Sequence, residues 1–124
     1  MKLNHELERK MMFAIESSNQ YNPSNEVLQE LKAEGFQNNE IAYTALKLHE
    51  GGLIELSPSI DPQGRLNSFA TGNLTYKGHT VLDNIKDDSV WAKAKEKIGT
   101  TFSSVSLSVI AGVAEGYIKG KLGI

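Results

Sequence analysis

The stretch TALKLHEGGLIELS, Thr44–Ser57, decides how the chain is read. Its first half is built from good helix formers. Two glycines follow, one of which supplies the left-handed residue that commonly ends a helix. LIEL, residues 53–56, then reads at once as a strand.

Upstream, NNEIAYTALKLHE, residues 38–50, completes the helix. Ile41, Ala45 and Leu48 form an apolar stripe at helical spacing, widened by Ala42 and Leu46, with Glu40, Tyr43, Lys47 and Glu50 opposite. Asn38 or Asn39 is the expected cap. Downstream, SPSIDPQGRLNSFATGN, residues 57–73, is punctuated by Pro58, Pro62, Gly64 and Gly72, and DPQG is a type I turn signal. The expected product is a hairpin with one strand near 53–60, a tip near 61–64 and a return near 65–75.

Leu3, Leu7, Met11 and Ile15 place an amphipathic helix over residues 3–17, capped by Asn4. A polar loop, residues 17–25, follows it. EVLQELKAE, residues 26–34, has helical propensity but is short, and VLQEL is also compatible with a strand paired to the hairpin. After the hairpin, residues 74–85 read as a helix capped by Thr75. DDSVWAKAKEKIG reads as another, opened by Asp87, Asp88 or Ser89 and ended by Gly99. Val90, Trp91, Ala94 and Ile98 are its packing residues.

In the last segment Ser104, Ser108, Gly112, Gly116 and Gly120 recur every four residues, with Val109, Val113 and Tyr117 one position behind. A smooth small-residue ridge of this kind lets two helix backbones approach closely. Val109, Gly112, Val113, Gly116 and Tyr117 are therefore the expected interface of a homodimer built on the C-terminal helix, or of an unknown protein partner. Ile98 to Ala114 is 17 residues without a charge, short for a membrane span, and six of them are Ser or Thr. No membrane association is expected.

Composition excludes several classes of function. With 124 residues and no cysteine, disulfides and thiolate metal sites are absent, and a reducing, cytoplasmic setting is the expectation. The opening MKLNHELERK has no apolar core of a signal peptide. Net charge is −2: residues 1–60 carry five Lys/Arg against nine Glu, and residues 61–124 eight against six Asp/Glu. His5, His49 and His79 lack ligand spacing, so no metal is expected. Asp87–Asp88 sits where a helix N-terminus favours acids. Neither a G-x-S-x-G nor a phosphate loop occurs. No cofactor and no enzymatic activity are expected.

IAYTALKLHEGGLIEL, LTYKGHTVLDNI and DDSVWAKAKEKI together resemble a family of small, uncharacterised winged-helix proteins of prophages and Gram-positive bacterial genomes, catalogued as a domain of unknown function. The GGLI turn and the LTxxGHxxLDxIxDDxxWxKxK run carry the resemblance, which extends over almost the whole chain, tail included. It implies an α+β, mostly helical fold: a winged helix-turn-helix with a two-stranded wing over residues 1–86, and C-terminal helices over residues 87–124. In such a fold one helix enters the DNA major groove and the wing meets backbone or minor groove. The expected contacts with double-stranded DNA are Tyr43, Thr44, Lys47, Arg65 and Lys77. The expected role is a DNA-binding regulatory protein of mobile-element type. The alternative is a protein-interaction module without nucleic acid, which the acidic first half and the short list of cations favour.

Overall fold

The computed structural model describes residues 1–19, 24–64 and 66–124. Among these residues it is a mostly helical α+β arrangement with six α-helices and one two-stranded antiparallel hairpin. The chain forms two compact units, residues 1–78 and 79–124, whereas the sequence reading places the boundary after residue 86.

The first unit contains α1 (His5–Ser17), α2 (Ser24–Ala33), α3 (Asn38–Glu50), β1 (Ile54–Ile60) and β2 (Leu66–Leu74). Asn4 caps α1 as expected, its side chain accepting from the Leu7 N–H. Of the ambiguous segment 26–34, all but its last residue is helix, part of α2: Val27 and Leu31, one turn apart, are both buried. A strand would have put Gln29 on the same face as Val27 and Leu31; Gln29 is exposed instead, as helical spacing requires. The cap of α3 differs from expectation. Gln37 occupies the N-cap position and makes no side-chain capping bond, and Asn38 and Asn39 lie within the helix.

Three helices and the base of the hairpin enclose the core of this unit. Leu7, Met11, Met12 and Ile15 of α1 are buried together with Ile41, Ala45 and Leu48 of α3 and with Leu53, Ile54 and Leu74 at the hairpin base. α1 packs on α2, α3 and β2, while α3 packs on both strands. At about 25 cal/mol per Å² this apolar burial is the main favourable term for the unit. The hairpin pairs Ile54 with Leu74 and Leu56 with Thr71, with irregularities between Ile54 and Leu56 and between Ser59 and Ile60. At its tip the Gly64 N–H donates to the Asp61 carbonyl at 2.9 Å, and the Gln63 N–H to the Asp61 carboxylate at 3.0 Å, as the DPQG signal predicts.

α4 (Tyr76–Ile85) starts in the first unit and continues in the second, where Leu82 and Ile85 are fully buried. α5 (Asp88–Ile98) begins at the Asp87 cap, whose carboxylate accepts from the N–H groups of Ser89 and Val90. The tail is less uniform than its four-residue period suggests. Gly99, at φ +71°, ends α5, and residues Gly99–Ser104 form a 3₁₀ turn. Only then does α6 (Leu107–Leu122) start, capped by the Ser106 hydroxyl. Trp91 meets Phe102 of that turn edge to face, with ring centroids 5.5 Å apart. Trp91, Ala94, Leu107, Ile110, Ala111 and Ala114 are buried where α5 packs on α6.

Candidate functional site

The junction of α3 with the hairpin is built from backbone bonds. Gly51 keeps a right-handed conformation, and Gly52, at φ +77°, is the left-handed residue that turns the chain. The Leu53 N–H donates to the Leu48 carbonyl at 2.9 Å. From the far end of the hairpin, the Thr75 N–H donates to the Leu53 carbonyl at 3.0 Å and the Thr75 hydroxyl to the Gly52 carbonyl at 2.6 Å. The same hydroxyl accepts from the Gly78 N–H at 3.0 Å, capping α4. Gly78 is forced by contact: a Cβ there would collide with the Leu53 carbonyl oxygen. Helix, hairpin and the start of α4 thus meet at one point.

The expected DNA contacts divide unequally on this frame. Tyr43 and Lys47 are half-buried on the outer side of α3, one turn apart. The Lys47 ammonium lies 5.5 Å from the Tyr43 ring centroid and 2.8 Å from the Glu50 carboxylate. The Glu50 hydrogen bond raises the Lys47 pKa above its ordinary 10.5. Thr44 corrects the expectation. It is only 2% exposed, because it shares the inner side of α3 with Ala45, Ile41 and Leu48, and cannot meet a ligand there. The Lys77 ammonium is turned onto its own chain, donating to the Gly51 carbonyl at 3.3 Å at the negative end of α3. Arg65 lies outside the described residues.

The expected interface residues all lie on one helix, α6. Val109 is 50% exposed, Gly112 and Gly116 are exposed, and Val113 and Tyr117 are half-buried. A Cβ added at Gly112, Gly116 or Gly120 would meet nothing within 4 Å. Each of these glycines costs the helix about 0.8–1.0 kcal/mol relative to alanine, with no return from the chain's own packing. Beside them an open groove of about 460 Å³ is lined by Lys97 of α5 and by Val113, Gly116, Tyr117, Gly120 and Lys121 of α6.

One buried polar pair escaped the sequence reading. His5 Nδ1 and Glu8 Oε1 are 2.6 Å apart, and both residues are at most 5% exposed. Burial pushes the Glu8 carboxyl above the ordinary 4.5, opposed in part by His5. The signal was the i, i+3 spacing at a helix start, but nothing in composition distinguishes a buried first turn from a solvated one. Among the described residues no cluster of three His, Asp or Glu side chains is disposed to hold a metal ion. Nor, among them, is any helix long and apolar enough to cross a membrane.

Comparison with known proteins places the chain in a family. Residues 2–105 match the family model described as a hypothetical protein (DUF2513), and the chain belongs to that family. The matched span stops before α6. An uncharacterized protein of Haemophilus influenzae is 33% identical over 124 residues, covering 98% of this chain and 99% of its own length, so that similarity includes the tail. No solved structure matches.

Proposed function

We propose that this DUF2513 protein is a winged-helix regulator that contacts double-stranded DNA through α3 and the hairpin, in the cytoplasm. The observation that supports this reading best is the junction itself. α3 and the hairpin are locked together by the Leu53, Thr75 and Gly52 bonds, so they can be offered to a duplex as one rigid piece. Tyr43 and Lys47 are the outward residues of α3 that would meet phosphate or base edges, and Arg65, by its place past the hairpin tip, would follow the backbone. The resemblance read from the sequence adds a mobile-element setting.

The electrostatics limit that affinity. Lys47 is matched by Glu50, Lys77 by a backbone carbonyl, and Glu40 lies on the same side of α3. Few phosphates are neutralised by such a face, so binding is modest and falls with salt in proportion to those few contacts. The test is fluorescence anisotropy with a mixed-sequence duplex at about 50 and about 200 mM salt, over which phosphate contacts weaken strongly. Binding that falls with salt, and falls further in a Lys47→Ala/Arg65→Ala variant, supports the reading. No binding at the lower salt removes it.

A second reading, a protein-interaction module on the same fold, is favoured by one specific observation. The exposed side of α6 carries glycines that the chain's own packing does not use.

A further inference from the structure

The groove between α5 and α6 combines three properties. Its floor is flat, because Gly116 and Gly120 contribute no side chain and Val113 is the only aliphatic one among the described residues. It is long, since a rise of 1.5 Å per residue makes the Val113–Lys121 stretch about 12 Å. And it is flanked by cations without carboxylates. Elsewhere in residues 79–124 lysines are matched: Lys86 with Asp83, Lys93 with Glu96, Lys119 with Glu115, and Lys95 lies over the Phe102 ring. Lys97 and Lys121, both exposed, form no ion pair among the described residues, and Lys121 lies 5.6 Å from the Tyr117 ring centroid. These two are the lysines that line the groove.

We propose that this groove receives an amphipathic helix of another protein, with a narrow apolar stripe facing Val113 and the glycines and carboxylates placed against Lys97 and Lys121. Ridges formed at every fourth residue of one helix fit the grooves of another, and absent side chains let the backbones approach closely. Charge decides the occupant. A second copy of α6 brings only one acid, Glu115, and that is held by its own Lys119 at 3.2 Å. Self-pairing would therefore leave Lys97 and Lys121 unmatched, whereas an acidic helix matches both. This inference does not depend on DNA contact by α3.

The experiment uses the full chain and a fluorescein-labelled 18-residue helical peptide with an Ala/Leu seam at every fourth position, flanked by Glu on both sides. A second peptide carries Gln in place of each Glu. Saturable binding of the Glu peptide is expected, at least tenfold tighter than the Gln peptide. It should weaken at least tenfold in a Lys97→Glu/Lys121→Glu variant and in Gly116→Leu, whose substitutions lie on exposed positions. Circular dichroism melts check the fold, and should Gly116→Leu fail to fold, the charge-reversed variant decides. Absence of saturable binding, or binding indifferent to the variants or to the peptide's charge, overturns the proposal. So does a dimer in sedimentation equilibrium that Gly116→Leu dissociates, because a second copy then fills the groove. Displacement of the peptide by duplex DNA, lost in the charge-reversed variant, also overturns it by giving the lysines to phosphate.

Discussion

Glu50 holds the ammonium of Lys47 at 2.8 Å, three residues along the same face of α3. On the proposed DNA reading, the cation that α3 offers to phosphate is thus already paired with a neighbour. An exposed pair of this kind is weak and is screened by salt, so it modulates rather than forbids binding. Replacing Glu50 by Gln releases Lys47 and removes a like charge to phosphate. Glu50→Gln should bind a mixed duplex at least threefold more tightly than the wild type in anisotropy at low salt. Weaker or unchanged affinity would take the outer side of α3 out of the DNA reading.

The contact between Gly78 and the Leu53 carbonyl leaves no room for a methyl group. That carbonyl cannot retreat without losing the Thr75 N–H. Gly78→Ala should therefore cost about 1–3 kcal/mol, the range for overpacking against structure that cannot move. A drop of several degrees in the thermal midpoint would register it. A variant as stable as the wild type would show that the junction is looser than these bonds describe.

Asp87 holds two N–H groups of the first turn of α5 with one carboxylate oxygen, at 2.9 and 3.1 Å. Asp87→Ala should lower stability by about 1 kcal/mol, the usual worth of an N-cap. Asp87→Asn should lose much less, since an amide oxygen also accepts. Urea titrations of the two variants side by side separate capping from any wider role of the acidic pair.

The raised Glu8 carboxyl makes stability depend on pH in a defined direction. Below 4.5 the group is protonated whether the chain is folded or not. As pH rises past that value the unfolded chain loses the proton first, which favours unfolding until the folded carboxyl ionises too. Glu8→Gln keeps the shape and removes this titration. The stability of wild type minus that of Glu8→Gln, from urea unfolding at a series of pH values, should fall as pH rises from below 4.5 and then level off. A difference that grows with pH would mean that the bond to His5 outweighs burial.

A Cβ added at Gly112 or Gly120 of α6 would meet nothing within 4 Å, so Ala fits both without strain. Gly112→Ala/Gly120→Ala should stabilise the isolated chain by up to about 1 kcal/mol per site. If it does, the natural residues are a concession to something outside this chain, which is the premise of the proposed helix site.

The elements were legible where one signal dominates. Asn4 and Asp87 are caps because a short polar side chain preceded an apolar period, and DPQG is a turn for reasons local to four residues. The break at Val105–Ser106 was hidden, because the four-residue period runs straight through it. Periodicity reports which residues share a face, not whether the axis continues. Site residues were harder still. Thr44 looked like an outer residue because a hydroxyl is polar, yet it lies on the inner side of α3 beside Ala45. Lys77 looked free because its partner, the Gly51 carbonyl, is a backbone atom 26 residues earlier in the chain. Backbone acceptors carry no mark in a sequence.

The closure at Leu53 and Thr75 has a consequence for how this protein can change. The hairpin leaves and returns to the same pinned spot, so everything beyond that spot is an excursion whose ends are already joined. Paired residues can be added to β1 and β2, or removed, without moving either anchor. Reach and tip chemistry can therefore vary from relative to relative while α3 and the origin of α4 stay where they are. The hairpin is in effect an exchangeable attachment on a fixed mount, and lengths among relatives should differ there first.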